Sequence, residues 1–184
     1  MVLIETERLI LREFKDDDWV SVHEYASDPE VVRFMDWGPN TEEETRNFIK
    51  RAISHQNEKP RRNFTLAIVL KSENKLIGGC GIVISDPDNR QGYIGYCLNR
   101  NFWGQGYATE TARALLKFGF EKLNLHRIFA TCDPKNVASA HVLEKIGMKL
   151  EGRLREHKLA KGKWRDSLVY SILDYEWKKP NRIT

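Results

Sequence analysis

The stretch from Leu98 to Glu110, LNRNFWGQGYATE, ends a predicted strand and begins a predicted helix, with Gly104 and Gly106 between them. Glycine allows sharp backbone turns that present N–H groups to one side. The first turn of a helix adds N–H groups without internal partners and the positive end of the helix dipole. We therefore expect this loop to bind an anion such as a pyrophosphate through its main chain, without a lysine.

Two further observations narrow the class of anion that this loop binds. The loop lacks the GK[ST] sequence of a P-loop, which argues against an ATP or GTP site. The glycines also follow a predicted antiparallel meander, whereas a dinucleotide fingerprint follows the first strand of a parallel βαβ unit. A plain strand-to-helix turn without a ligand is the alternative interpretation of the glycines.

Hydrophobic periodicity predicts the elements that precede the loop. Asp16 to Asp18 offer N-caps for a helix that turns Val22 and Ala26 inward. Thr41 and Glu44 have the spacing of a capping box at the start of a second helix. The predicted strands before the loop are residues 8–14, 64–70, 76–84 and 92–98.

The elements after the loop complete the predicted fold. Gly147 is the expected C-cap of the last helix, and Lys161 to Lys163 form the turn between the last two strands. The order of elements predicts an α+β fold with a mixed, mostly antiparallel central sheet flanked by helices, in a single domain over residues 1–184. The helices in this part are predicted at residues 109–122 and 137–146, and the strands at residues 127–132, 148–159 and 165–173.

The composition is that of a globular protein that can bury a sizeable core. The chain has 184 residues, of which 41% are hydrophobic and 30% are charged. Its net charge of +4 is too small to indicate nucleic-acid binding. Residues 149–165 are locally basic, a pattern that suits an acidic partner or, more often, a solvated strand and turn.

The cysteines and the apolar segments indicate the compartment. Cys80, Cys97 and Cys132 lie far apart in apolar runs, so we expect core residues and neither a disulfide nor a metal site. Reduced cysteines suit an intracellular compartment. The N-terminal segment lacks the pattern of a signal peptide, and the run from Phe64 to Leu70 is far shorter than the ~20 residues that span a bilayer. We expect a cytoplasmic protein that does not enter membranes.

The segment from Trp103 to Ala108 resembles the coenzyme-binding motif [QR]-x-x-G-x-[GA] of the GNAT superfamily of acetyl-coenzyme A-dependent N-acyltransferases. Gly106 and Ala108 occupy the glycine and small-residue positions, and Trp103 stands where Gln or Arg is usual. This departure is similar to the W-G-x-G-Y-A-T-E pattern of the RimJ/RimL-like branch, which contains ribosomal-protein N-terminal acetyltransferases and their relatives. Further matches in order are TERLILR (6–12), N-x-x-S (136–139), EKIGM (144–148), EGRLRE (151–156) and DSLVYSIL (166–173).

This resemblance implies the acyl-CoA N-acyltransferase fold and acetyl-coenzyme A as cosubstrate, with no metal. The main chain of Leu98 would pair with the pantetheine arm like an added strand. Asn136 would hydrogen-bond the same arm, and it is also a good N-cap for the helix that follows. The residues whose amides would bind the pyrophosphate are Gly104, Gln105, Gly106, Tyr107, Ala108 and Thr109.

Acid and base candidates come from the same resemblance. Many members carry a tyrosine acid at the position that Leu143 occupies here, so Ser139, one helical turn earlier on the same face, is the candidate acid. It is otherwise only a small residue at a helix start. The carboxylate that relatives use as a base aligns with Lys158, which leaves Glu156 on the same strand face as the candidate base. A surface ion pair is an equally good account of Glu156.

The resemblance predicts acetyl transfer to an amine, with the α-amine of a protein N-terminus, ribosomal in type, as the leading acceptor. A small-molecule amine such as a polyamine, an amino acid or an antibiotic is the alternative acceptor. A module that binds acetyl-coenzyme A without turnover is a second class, and a nucleic-acid-binding protein ranks last. Carboxylates in the acceptor groove would favour a polyamine. Edge strands of the predicted sheet leave room for a homodimer.

Overall fold

An eight-stranded sheet organises residues 2–177, the part of the chain that this computed structural model describes. The spatial order is β1-β2-β3-β4-β5-β6-β8-β7, and within it only β5 and β6 run parallel. The predicted mixed, mostly antiparallel sheet is therefore confirmed. The strands are β1 Leu3–Glu5, β2 Leu9–Glu13, β3 Asn63–Leu70, β4 Lys75–Asp86, β5 Gln91–Leu98, β6 Arg127–Cys132, β7 Lys149–Ala160 and β8 Lys163–Leu173.

Helices cover both faces of the sheet because β3 is apolar on both sides. Leu66 and Ile68 belong to the core cluster with the helices at residues 107–121 and 137–145, whereas Ala67 belongs to the cluster with the helices at residues 19–26 and 42–56. A strand buried on both faces reads as a continuous apolar run, as β3 does. The helices are α1 Trp19–Ala26, α2 Glu42–Gln56, α3 Tyr107–Glu121, α4 Val137–Lys145 and α5 Asp174–Trp177. No helix within residues 2–177 is long and apolar enough to cross a membrane.

Three differences from the predicted elements have local causes. The helix after the glycine loop begins at Tyr107 and not at Thr109, because Gly106 already makes the turn with φ of 82°. β1 was not predicted, since three residues give no readable periodicity; it is held by pairing with β2, with Ile4 opposite Leu11. α5 was not predicted either, and its one turn follows directly from the end of β8.

The predicted capping box of α2 is confirmed. The Oγ1 of Thr41 accepts a hydrogen bond from the N–H of Glu44 at 3.2 Å. The N–H of Thr41 in turn donates to Oε2 of Glu44 at 2.7 Å. The start of this helix is therefore fixed by its own sequence. The helix carries Phe48 and Arg51 towards the site described below.

Substitution of this cap should destabilise the protein measurably. We expect Thr41→Ala to lower the free energy of unfolding by about 1 kcal/mol, because the Glu44 N–H loses its side-chain acceptor. Thermal denaturation should show a decrease in Tm of about 2–4 °C. Thr41→Ser, which keeps the hydroxyl, should unfold close to the wild type, and equal losses in both variants would contradict the assigned role.

Candidate active site

A cavity of about 760 Å³ opens where β5 and β6 separate. The two strands pair only from Gln91 to Tyr93 with Arg127 to Phe129. Beyond these pairs, the residues from Ile94 on β5 and from Ala130 on β6 line the cavity. The edge of β5 is therefore available to an extended ligand that adds to it like a strand, which is the contact expected for the main chain of Leu98.

The glycine loop at the end of β5 has the features of an anion site. Gly104 and Gly106 have φ of 74° and 82°, in the left-handed region that favours glycine. The N–H groups from Gly104 to Thr109 have no acceptor within residues 2–177. A side chain at Gly104 would meet nothing within 4 Å, so the loop is open to solvent. Tyr107 is buried beneath it, and Gln105 lies exposed on its surface.

Trp103 has a structural role that explains its place at the start of the motif. Its indole Nε1 donates to the carbonyl oxygen of Leu98 at 2.9 Å. This bond returns the loop to the end of β5 and uses one acceptor site of the Leu98 carbonyl. Trp103 is 49% exposed, so it contributes little to the core.

The helix after β6 brings Asn136 and Ser139 to the cavity wall. Oδ1 of Asn136 accepts from the N–H of Ser139 at 3.1 Å, which confirms its predicted N-cap role. Its amide N–H groups are separate donors that stay available to a ligand. Leu143, one turn after Ser139, is buried and lines the same cavity, as the helical spacing predicts.

Tyr96 is a site residue that sequence reasoning missed. Its hydroxyl lies 3.3 Å from the Oγ of Ser139, across the gap between β5 and α4. Burial raises the pKa of Tyr96 to about 12, although the hydrogen bond with Ser139 acts in the opposite direction. The phenol therefore keeps its proton at neutral pH. A tyrosine inside the apolar run IGYCL was the available signal.

The cysteines also line this cavity. Cys80 and Cys132 are buried, as expected, and Cys97 is partly buried. Burial raises the pKa of Cys97 to about 12, and burial together with the nearby Asp133 raises the pKa of Cys132 to about 11. These thiols are protonated at neutral pH and are poor nucleophiles. Within residues 2–177, no group of three or more His, Cys, Asp or Glu is placed to hold a metal ion.

Glu156, the candidate base, lies outside the cavity lining. It sits at φ 49° in an irregular stretch of β7, is exposed, and its N–H donates to Oδ1 of Asp166 at 2.8 Å. The structure does not bring its side chain together with Ser139. Two residues on, Lys158 does line the cavity. Glu156 lies inside the register shift between Leu154 and Lys158, where the regular alternation of the strand is interrupted.

The β7–β8 hairpin holds the segment at residues 32–40 between α1 and α2, which contributes one wall of the cavity and is called the acceptor loop below. Lys161 Nζ donates to the carbonyl oxygen of Val32 at 2.7 Å, and Arg165 Nη1 donates to that of Phe34. Lys158 pairs with Asp36 at 3.4 Å. The next residue, Trp37, is 37% exposed and lines the cavity. The loop is thereby fixed over the cavity.

Arg165 also contacts the end of β6. Its Nε lies 3.7 Å from Oδ2 of Asp133, whose side chain is only 11% exposed. Arg165 itself is 18% exposed. The same guanidinium thus joins β8, the acceptor loop and the end of β6, which are three walls of the cavity.

Removing this guanidinium should loosen the cavity and destabilise the fold. We expect Arg165→Met to lower the free energy of unfolding by about 1–3 kcal/mol, because the Phe34 carbonyl loses a charged donor and Asp133 loses its cation. Arg153→Met is the matched control. Its ion pair with Asp166 lies in the same hairpin with Arg153 61% exposed, and such pairs contribute little. Equal Tm values for Arg165→Met and the wild type would refute this role.

The family assignment follows from the match to known proteins. A family model of the acetyltransferase (GNAT) domain matches residues 8–149, which include the glycine loop and α4. The chain belongs to the GNAT acetyltransferase family. It is an N-acetyltransferase, in agreement with the enzyme class that the sequence predicts. Two solved acetyltransferase structures of this fold, at 23% and 20% identity, contain bound coenzyme A.

Individual members of the GNAT family support this assignment over nearly the full length. The uncharacterized N-acetyltransferase YnaD of Bacillus subtilis is 39% identical over 95% of this chain and 98% of its own. A GNAT-family acetyltransferase of Bacillus anthracis has a TM-score of 0.84 at 37% identity, covering 95% and 99% of the two chains. A ribosomal-protein-S5-alanine acetyltransferase of Vibrio fischeri has a TM-score of 0.80 at 26% identity, covering 97% and 100%. The acyl-CoA N-acyltransferase fold is confirmed.

Proposed function

We propose that this GNAT enzyme transfers the acetyl group of acetyl-coenzyme A to the α-amine of a protein N-terminus, as the ribosomal-protein acetyltransferases of the RimJ/RimL-like branch do. The observation that carries the choice of acceptor is the charge of the cavity. Its lining contains three carboxylates, Asp36, Glu44 and Asp133, and three cations, Arg51, Lys158 and Arg165, among the described residues. The groove is balanced and not acidic.

Each of these carboxylates already has a partner. Asp36 pairs with Lys158 and Asp133 with Arg165, while Glu44 accepts hydrogen bonds from Thr41. A polyamine carries several positive charges, and such a ligand is recognised by unpaired negative charge. An α-amine brings one amino group with a pKa of about 7.7–8.0, part of which is neutral at physiological pH. The paired carboxylates therefore favour the α-amine.

The apolar part of the cavity suits a peptide backbone and a first side chain. Tyr25, Phe34, Trp37, Phe48 and Tyr93 contribute aromatic surface to the lining, and aromatic rings bind apolar bodies with large contact area. The similarity to the S5-alanine acetyltransferase of Vibrio fischeri, at 26% identity, also favours a protein acceptor.

Coenzyme binding in this proposal uses the main chain more than side chains. The free N–H groups from Gly104 to Thr109 bind the pyrophosphate, with the N-terminal end of α3 behind them. The pantetheine arm lies along β5 towards Leu98, in the gap that β6 leaves open. The amide of Asn136 donates to this arm while its oxygen caps α4.

The bound thioester supplies the acetyl group, and the departing thiolate needs a proton. Ser139 donates that proton from the cavity wall. Tyr96, 3.3 Å away, orients the Ser139 hydroxyl and returns a proton to it, and water restores the proton of the phenol before the next turnover. The neutral fraction of the α-amine reduces the need for a strong base. Glu156 is the carboxylate proposed to assist, from the rim and through water, since it does not line the cavity.

The proposal is tested by thiol release from acetyl-coenzyme A with peptides that have free N-termini, polyamines and amino acids as acceptors. We expect the wild type to acetylate peptides. In Ser139→Ala, kcat for peptides should be about 100-fold or more lower, which is the usual size of a general-acid contribution. Ser54→Ala is the matched control, because Ser54 lies on α2 with its hydroxyl bonded to the Arg51 carbonyl. Turnover confined to polyamines or free amino acids would overturn the acceptor, and coenzyme binding without turnover would overturn the enzymatic role.

The pH dependence distinguishes the acid from the amine. Because the pKa of Tyr96 is raised to about 12, its phenol stays protonated below about pH 10, and the kcat/KM profile should rise with deprotonation of the acceptor amine and then level off. Tyr96→Phe should lower the plateau without moving this rise. A rise that shifts in Tyr96→Phe would assign the titration to Tyr96 and contradict its role as a permanent donor.

A further inference from the structure

Arg8 lies directly behind the glycine loop, on the side of β2. Its Nη1 donates to the carbonyl oxygen of Gln105 at 2.9 Å. Its Nε donates to Oε2 of Glu110 at 2.7 Å, and its Nη2 lies 2.7 Å from the same oxygen. The guanidinium also lies over the ring of Tyr107, with 4.5 Å between Cζ and the ring centroid. One side chain thus contacts the loop and the first turn of α3 together.

The bond to Gln105 fixes the direction of the next N–H group. A trans peptide unit is planar, and its C=O and N–H point in opposite directions. Because Arg8 holds the Gln105 carbonyl towards β2, the N–H of Gly106 must point away from Arg8. It joins the free N–H groups of the loop on the side where the anion binds, so the peptide unit needs no rotation when a pyrophosphate arrives.

Arg8 also offsets the negative charge of Glu110. This carboxylate lies in the first turn of α3, next to the N–H groups that receive the anion. Burial acts to raise the pKa of Glu110, but hydrogen bonds from Thr6 and Arg8 outweigh it and lower the pKa. Glu110 is therefore ionised at neutral pH and would repel a pyrophosphate. The guanidinium at 2.7 Å cancels that charge locally.

We infer that Arg8 is a positioning residue for pyrophosphate recognition: it orients the Gln105–Gly106 peptide unit towards the anion and neutralises Glu110 behind it. This inference rests on the proposed coenzyme site in the glycine loop. It assigns a coenzyme-binding role to a residue of the N-terminal strand region, remote in sequence from the motif. Arg8 itself makes no contact with the reacting atoms.

The test compares ligands that share or lack the pyrophosphate. Calorimetric Kd values for coenzyme A and dephospho-coenzyme A are measured with the wild type, Arg8→Met and Arg8→Lys, together with kcat/KM for S-acetylpantetheine. We expect Arg8→Met to weaken both coenzymes about 10-fold or more, as loss of a charge-assisted contact does. Turnover of S-acetylpantetheine, which has no phosphate, should stay within about 2-fold of wild type. Arg8→Lys keeps the positive charge but lacks the forked donors of the guanidinium, so its Kd values should lie between those of the wild type and Arg8→Met.

Arg61→Met is the matched control. Arg61 pairs with Glu13 at 2.6 Å, with both side chains largely buried, and it lies outside the cavity and the loop. It should lower Tm without changing either Kd. Weakening of coenzyme A but not of dephospho-coenzyme A would assign Arg8 to the 3′-phosphate and overturn the inference. If Arg8→Met lowered kcat/KM for S-acetylpantetheine as much as it weakened coenzyme binding, Arg8 would have only a general stabilising role, and the inference would also be overturned.

The outcomes separate this inference from the proposed function. A wild type that binds coenzyme A but acetylates no peptide would defeat the proposed acceptor or activity, while the Kd comparison would still decide the role of Arg8. If the wild type acetylates peptides and Arg8→Met binds coenzyme A with an unchanged Kd, only the proposed role of Arg8 is contradicted.

Discussion

The early end of the pairing between β5 and β6 is the constraint on which the site depends. The parallel ladder stops at Tyr93 and Phe129, yet both strands continue, so their backbone edges face a gap. Strand edges with unpaired N–H and C=O groups are normally a liability. Here they lie inside a cavity, where an extended ligand arm can take the place of the missing strand. Every other functional group is arranged around this gap.

Two ends of the gap have different physical requirements. At one end, the glycine loop presents N–H groups whose mutual repulsion must be overcome by structure that holds them in place. Arg8 and the N-terminal turn of α3 supply that structure from behind. At the other end, the hairpin of β7 and β8 fixes the acceptor loop through Lys161 and Arg165. In the proposed mechanism the chemistry takes place between them, where the hydroxyls of Ser139 and Tyr96 meet.

In the proposed function, charge pairing in the cavity selects the acceptor without a dedicated recognition residue. Asp36 and Asp133 are matched by Lys158 and Arg165, so their charges hold the walls together and are not available to a polycation. Unpaired buried charge is expensive, whereas paired charge costs less and orders the elements it joins. An acceptor with one ionisable amine and an apolar body fits what remains.

The sequence by itself determined the elements other than β1 and α5, their order, the mixed sheet, the capping box of α2, the N-cap at Asn136 and the glycine loop. These are local properties, set by periodicity within one element or by residues three or four positions apart. Only the tertiary structure decided which distant groups meet: the Tyr96 and Ser139 hydroxyls, Arg8 with the carbonyl oxygen of Gln105, and Arg165 with the carbonyl oxygen of Phe34 and the carboxylate of Asp133. It also placed Glu156 outside the cavity, because a bulge in β7 breaks the alternation on which its predicted face depended. Contacts between distant segments depend on register and packing, which no local pattern records.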